Sequence, residues 1–275
     1  DAIAVATPVS THFELARRAM ESGKDVWLEK PMTEKVEQAE ELIELAEKNK
    51  RVLHVDHTFV YTGAVRKIRE LIDKGELGDL IYYDSTRVNL GLFQQDVDVI
   101  WDLAPHDFSI MEYLIAKKPE AVVATGQRHV SHCEDVSYIT IYFADDVIAH
   151  FNMNWLSPVK VRTTLIGGEK KMLVWNDLEA DEKVKVYDKG VQMNGNRQGV
   201  YDLLVSYRSG DVWAPRVDQT EALKSELAYF LDCIDTGKTP FNSAEAGLRV
   251  VRLLEASDHP QGGGLPASGR AQQRE

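Results

Sequence analysis

Cysteine is nearly absent: Cys133 and Cys233 are the two in 275 residues, and they lie a hundred positions apart. Neither has a neighbour at metal-ligand spacing, which rules out a disulfide framework and a cysteine zinc site. No apolar run reaches the ~18 residues needed to cross a bilayer, and no signal-peptide pattern is visible. Basic residues are in deficit, 32 against 44 acidic, for a net charge of −12. That balance argues against binding nucleic acid through a broad basic surface and against attraction to anionic membranes. Internal repeats are absent as well. What remains is ordinary: 44% hydrophobic and 28% charged residues, a composition that argues against disorder. At ~150 residues per domain the length predicts about two domains. A reducing, cytoplasmic setting is the expectation.

The chain opens Asp1-Ala2-Ile3-Ala4-Val5-Ala6-Thr7, without an initiator Met. Such a run reads as a strand buried on both faces, as in parallel sheets. A parallel strand at residue 1 has no neighbour before it, so the chain is expected to be a fragment. A helix is predicted over 12–21, with Thr11 and Glu14 at capping-box spacing and Gly23 beyond its end. A short strand over 25–29 follows, then a helix begun by Pro31 and Thr33. Thr33 is its expected N-cap, and Val36, Ala39, Leu42, Ile43 and Ala46 form its apolar face. With a further strand over 51–56, this βαβαβ order implies a parallel sheet with right-handed crossovers. The character then changes. Helices are expected over 61–74, closed by Gly75, and over 101–115, with a strand over 80–89 between them. Strands over 121–129, 136–143, 147–154, 160–166, 171–175 and 184–187 read as an antiparallel meander. Helices over 220–235 and 243–255 close the pattern. The fold class is therefore α/β followed by α+β on a large, open-faced antiparallel sheet. Residues 258–275 are rich in Gly, Gln, Pro and Arg and predict a disordered tail. Gly262, Gly264 and Ala267 match G-x-G-x-x-A, but Pro266 interrupts them and no strand precedes them, so the match is false.

Glu29-Lys30-Pro31 falls at the carboxyl end of a strand in the α/β part, where open sheets bind ligands. A partly desolvated lysine there can donate to an oxygen and polarise it, although a solvated turn lysine has the same sequence. Asp102 and His106 are four apart on a predicted helix and share a face. A carboxylate can orient an imidazole that takes a proton near neutrality. Asp102 could equally be an N-cap, with Pro105 in the first turn, or the two could ligate a metal, though no third ligand has a recognisable spacing. Thr7, Pro8 and His12 occupy the first strand-to-helix turn, where backbone N–H groups favour an anion, or where Ser10 or Thr11 caps the helix. His54 and His57, read as strand residues, point to opposite faces, which favours structural roles over a shared metal. Trp155 with Asn152 and Asn154 could face a sugar or be core.

In order, Ala6-Thr7-Pro8 with His12, Glu29-Lys30-Pro31, Gly75-Glu76-Leu77-Gly78 before a strand, Asp102-x-x-x-His106 and Ile166-Gly167-Gly168 closely resemble the Gfo/Idh/MocA family. This is the family of glucose–fructose oxidoreductase, inositol dehydrogenase and rhizopine catabolism, and the match runs from Asp1 to about Ser257. The resemblance implies a Rossmann-type sheet at 1–57, a substrate-binding and oligomerisation domain at 58–257, and NAD or NADP as cofactor. It implies hydride transfer to or from a hydroxyl or keto group of a sugar, nucleotide sugar or cyclitol. Lys30 would hold the reacting hydroxyl beside the nicotinamide, His106 would be the general base, and Asp102 would orient the substrate or His106. Thr7, Pro8, His12, Glu29 and Lys30 would line the cofactor. Arg87, Asn89, Trp155, Arg162 and Tyr201 are substrate-contact candidates. The stretch Val99–Asp107 looks most like members of nucleotide-sugar pathways, which suggests a C3 hydroxyl. A homodimer or homotetramer through the open sheet is implied, with no metal, nucleic acid or membrane partner. The family's G-x-G-x-x-G unit and its ribose-binding acid are missing, so by the Rossmann pattern roughly 60–70 residues are expected upstream. His57-Thr58-Phe59-Val60-Tyr61 stands where the family has an Asn/Arg-rich stretch. The same fold also admits a non-catalytic ligand sensor, or an inactive fragment.

Overall fold

The computed structural model describes residues 1–258, apart from 92, 95, 96, 131, 189 and 195–203. The disordered tail expected over 258–275 lies, from residue 259 on, outside the described residues, as does Tyr201.

Three short strands, β1 (Ala2–Val5), β2 (Asp25–Leu28) and β3 (Leu53–Val55), pair in parallel in the order β1-β2-β3. Helices α1 (His12–Glu21) and α2 (Val36–Asn49) make the crossovers. Every residue of β2 is buried, as expected for a central parallel strand. Ala39, Leu42 and Ala46 of α2 turn inward onto Val26, Leu28 and Val55. Burying a side chain such as Leu42 stabilises this unit by about 2 kcal/mol.

Helix starts differ from the sequence pattern. Thr33 does not cap α2: its hydroxyl bonds the Lys35 carbonyl at 2.8 Å, and the helix begins at Val36 behind an uncapped Lys35. Thr11 makes no side-chain cap either, because its hydroxyl turns back to Pro8 O at 2.8 Å and to Thr7. A hydroxyl can serve a nearby carbonyl as readily as a helix N–H, and local turn geometry decides which.

The second unit is built on an eight-stranded sheet. After α3 (Gly63–Asp73) come β4 (Leu80–Leu90), α4 (Val99–Leu114), β5 (Pro119–Gln127), β6 (Val136–Phe143), β7 (Ile148–Asn154), β8 (Leu156–Gly168), β9 (Met172–Asn176) and β10 (Val184–Tyr187). A separate hairpin of β11 (Gly190–Asn194) and β12 (Leu204–Arg208) precedes β13 (Val212–Trp213), α5 (Ala222–Thr236) and α6 (Ala244–Ser257). The sheet order is β13-β10-β9-β8-β4-β7-β6-β5. It is not a pure antiparallel meander: β4 pairs with β7 in parallel, so long β4 sits mid-sheet between β7 and β8. Alternation of side chains shows that a segment is a strand, but not which strand lies beside it.

One face of this sheet packs on α4 through Tyr83, Phe108, Ile139, Phe151 and Ile166. Across the other face, Tyr142, Ile148, Tyr138 and Val123 remain 38–50% exposed. The register aligns Tyr82, Ile148 and Tyr142 in one row and Thr86, Asn152 and Tyr138 in another.

Helix α6 belongs to both cores. Ala244, Leu248 and Val251 pack on the parallel unit, and Val250, Leu253 and Leu254 on the second. Helix α5 adds a buried polar contact: Glu226 Oε1 lies 2.9 Å from His54 Nε2 of β3, and Asn242 Nδ2 reaches Val55 O at 2.9 Å and Glu226 Oε1 at 3.2 Å. Among the described residues no helix is long and apolar enough to cross a membrane.

Candidate active site

Just past the carboxyl end of β2, Lys30 meets the N-terminal half of α4. Asp98 starts that helix: its carboxylate accepts from Ile100 N and Trp101 N at 2.9 Å. Asp98, not Asp102, is therefore the N-cap, and Pro105 lies inside the helix rather than in its first turn. The helix begins at Val99, earlier than its apolar pattern indicates, because Asp98 supplies the capping oxygen. Asp102 is thereby left free for a tertiary contact.

Lys30 follows the end of β2, across a cis peptide bond from Pro31. Its Nζ donates to the Asp102 carbonyl at 2.9 Å and lies 3.9 Å from Asp102 Oδ1. The ammonium is thus anchored to α4 one turn before His106, with hydrogens to spare for a ligand. Burial lowers the Lys30 pKa, opposed by the charges of Asp102 and Glu29. Asp102 Oδ2 accepts from Trp155 Nε1 at 3.1 Å, so its carboxylate faces Lys30 and Trp155. Glu29 Oε2 accepts from Lys30 N at 3.2 Å, and burial followed by the nearby Asp56 carboxylate raises the Glu29 pKa.

The His106 pKa is lowered well below the ordinary value, first by burial and then by the cations Lys30 and Arg87. Its imidazole is consequently neutral and able to accept a proton. The His106 ring packs edge-on against Phe59, 5.0 Å between centroids. The guanidinium carbons of Arg87 and Arg162 lie 4.7 and 5.8 Å from the same Phe59 ring.

The sequence-derived candidates divide. Lys30, Asp102, His106 and Trp155 converge. Trp155 is only 1% exposed, packs against Phe93 and serves through its indole N–H, leaving no open face for stacking. Arg87 is buried and paired with Asp107, which also accepts from Ser85 Oγ at 2.7 Å. Arg162 reaches Asp177 Oδ2 at 3.4 Å. Asn89 is half-buried near Gly91, where a Cβ would stand 2.7 Å from the Trp155 ring. Thr7 and Pro8 form the exposed turn after β1. His12 is buried, its Nδ1 2.9 Å from Pro31 O and its Nε2 2.8 Å from Thr7 O. It staples the two turns that carry Pro8 and Lys30. His57 is not a strand residue, because β3 ends at Val55. Phe59 and Asp107 are brought to the site by the fold: Phe59 lies in the unusual His57–Tyr61 stretch, whereas the pairing of Asp107 with Arg87 has no local sequence signal.

Strand ends with an exposed hydroxyl turn, a lysine with spare hydrogens and a neutral imidazole suit a dinucleotide and an alcohol. Among the described residues no three His, Cys, Asp or Glu side chains are grouped to hold a metal ion.

Comparisons agree with this architecture. The model of the oxidoreductase family with an NAD-binding Rossmann fold, GFO/IDH/MocA, matches residues 1–57, and the model of the family's C-terminal domain matches residues 65–174. UDP-N-acetylglucosamine 3-dehydrogenase from Acidithiobacillus ferrooxidans is 27% identical over 259 residues, covering 91% of this chain and 75% of that protein. The scyllo-inositol 2-dehydrogenase (NAD(+)) of Bacillus subtilis is 23% identical, covering 87% of this chain and 69% of that protein. Among solved structures, the A. ferrooxidans enzyme superposes with a TM-score of 0.80 at 24% identity, covering 94% of this chain and 78% of that one. An inositol dehydrogenase homolog from Azotobacter vinelandii, complexed with NADH and myo-inositol, gives 0.77 at 20% identity, covering 96% and 76%. The chain belongs to the GFO/IDH/MocA oxidoreductases. Its reaction class is therefore nicotinamide-dependent oxidoreduction.

Proposed function

We propose that this protein oxidises a secondary hydroxyl of a sugar, nucleotide sugar or cyclitol, or reduces the matching ketone, with a sugar C3 hydroxyl as the leading candidate. The observation that carries the reading is the anchoring of Lys30 Nζ on α4 one turn before a neutral His106. The relatives named for UDP-N-acetylglucosamine and scyllo-inositol support the substrate class.

Thr7, Pro8, Glu29 and Lys30 would hold the cofactor at the carboxyl ends of β1 and β2, and His12 shapes the turns that present them. The nicotinamide, when bound, supplies the hydride acceptor or donor. Lys30 donates a hydrogen bond to the reacting oxygen and stabilises negative charge developing there. His106 takes the hydroxyl proton, and in reduction it returns one. Asp102 keeps Lys30 aimed through its carbonyl and carboxylate, and is itself held by Trp155. Burial around Lys30 and His106 strengthens each of these interactions. Arg162 and Asn89 are the substrate-contact candidates with polar atoms still available. The open face of the large sheet, with Tyr138, Tyr142, Ile148 and Val123 exposed, serves to pair with a second copy of the chain.

Reduction of NAD+ and NADP+ at 340 nm is the test, with UDP-N-acetylglucosamine, other nucleotide sugars, scyllo-inositol and myo-inositol offered as substrates. Lys30→Met and His106→Ala should each lower kcat by roughly 10²–10⁴. Turnover that survives the two substitutions together would refute the assignment.

A further inference from the structure

His57 and the cavity beside it stand outside the machinery described above. The cavity has a volume of about 160 Å³ and runs along α4 beyond His106, where Ser109 and Tyr113 follow His106 on the same helix face. His57, Ser109, Glu112, Asn242 and Arg249 are among the residues of its wall. An ordered water needs about 10–15 Å³ of such space and two to four polar partners, so this chamber has room for several.

Two features tie the chamber to His106. Ser109, in its wall, donates to the His106 carbonyl at 2.8 Å. His57 leads into the turn whose Phe59 packs against the His106 ring. His57 is 2% exposed, and both of its ring nitrogens are buried without a hydrogen-bond partner. His106 Nδ1 is buried and unpartnered as well. An unpaired buried polar atom is destabilising, so three such nitrogens call for a common solution. The far wall opens outward: Glu112 is 10% exposed and bonds Arg249 at 2.7 Å, and Arg249 is half exposed.

We propose that His57 and this hydrated cavity carry the proton from His106 to solvent. The inference rests on His106 being the base. In oxidation the substrate O–H bond breaks and its proton goes to His106, while the C–H bond breaks and its electron pair leaves as hydride to the nicotinamide. The imidazolium then loses one proton by way of His57 and cavity water, and both rings return to neutral. One proton leaves per hydride transferred. Burial holds His57 neutral, with a pKa near 4, so it passes a proton on rather than keeping it. Asp56 and Lys30 are the charges it feels, and Lys30, Arg87, Arg162 and His57 itself act on His106. His57 is thus a positioning and relay residue, acting through His106.

The test compares His57→Ala with the unsubstituted chain, using NAD+ or NADP+ and the substrate that turns over, in weak buffer with and without imidazole. For His57→Ala, which vacates the ring's space, we expect kcat to fall about tenfold or more, KM to stay unchanged, and added imidazole to restore turnover. Unchanged kcat in His57→Ala, or a loss that imidazole does not relieve in a folded variant, overturns the proposal. If His106→Ala retains activity, the assignment of the base fails instead. Independently of any substrate, cross-peaks from long-lived water to the His57 ring in spectra of the 15N-labelled, unsubstituted chain are expected. Their absence overturns the relay.

Discussion

At the residue scale, the chain keeps several ionisable side chains uncharged by burying them. Burial pushes Glu226 up to about 9 from an ordinary 4.5 and pulls His54 down to about 3 from 6.5. The two face each other at 2.9 Å as a neutral pair. Unfolded, Glu226 gives up its proton near 4.5, while the folded chain retains it to about 9. The folded state therefore binds more protons across that interval, and Glu226 makes stability fall as pH rises through it. His54 acts in the opposite sense. The unfolded state binds the extra proton between about 3 and 6.5, so stability rises with pH there. Glu226→Gln should remove the alkaline decline and leave the acid one. Melting curves at pH 6 and pH 8.5 check this: the unsubstituted chain should lose on the order of several degrees more between the two than the variant does. Equal losses would show that Glu226 is ionised in the folded chain.

At the scale of elements, α6 is the helix that makes the site possible, although no catalytic candidate lies on it. Its Gly247 packs so closely on the parallel unit that a Cβ there would stand 2.8 Å from Val55 Cγ2 and 2.9 Å from Met32 Sδ. Met32 follows Pro31 directly, so pressure on it reaches the turn carrying Lys30. Gly247→Leu should destabilise the chain by roughly 1–3 kcal/mol through overpacking, read from urea unfolding. Arg252→Ala, on the exposed face and removing only an exposed pair with Glu40, should stay within about 0.5 kcal/mol. Similar effects from both would mean that α6 does not clamp the two cores. The cap of α4 works at the same scale: because Asp98 starts the helix, Asp102 and His106 project one turn apart toward the end of β2.

At the scale of the molecule, a sheet with one face on α4 and the other bearing Tyr138, Tyr142, Ile148 and Val123 is asymmetric in what it offers to water. Aromatic and branched side chains in aligned rows are suited to a self-complementary contact. Tyr142→Asp with Ile148→Asp should convert an assembly into monomers by light scattering, with circular dichroism unchanged. A monomeric unsubstituted chain would remove the open face from consideration as an interface. The net charge of −12 also favours a short-range apolar contact over attraction between copies, since like-charged molecules repel.

Much of this was legible in the amino-acid order. The βαβαβ pattern, Lys30 beyond the end of a strand, and Asp102 and His106 one helical turn apart follow from periodicities of two and 3.6, which are local properties of the chain. The folded chain alone decided what those groups touch. Asp102 meets Trp155 across 53 residues, Arg87 pairs with Asp107 across 20, and His54 with Glu226 across 172. The parallel pairing of β4 with β7, the sharing of α6 between two cores and the gathering of His106, Arg87 and Arg162 around Phe59 belong to the same group. Periodicity states which way a side chain points but not what lies opposite it. Partners are chosen by close packing and by the cost of burying a polar group alone, and both act between segments that the chain brings together only when it folds.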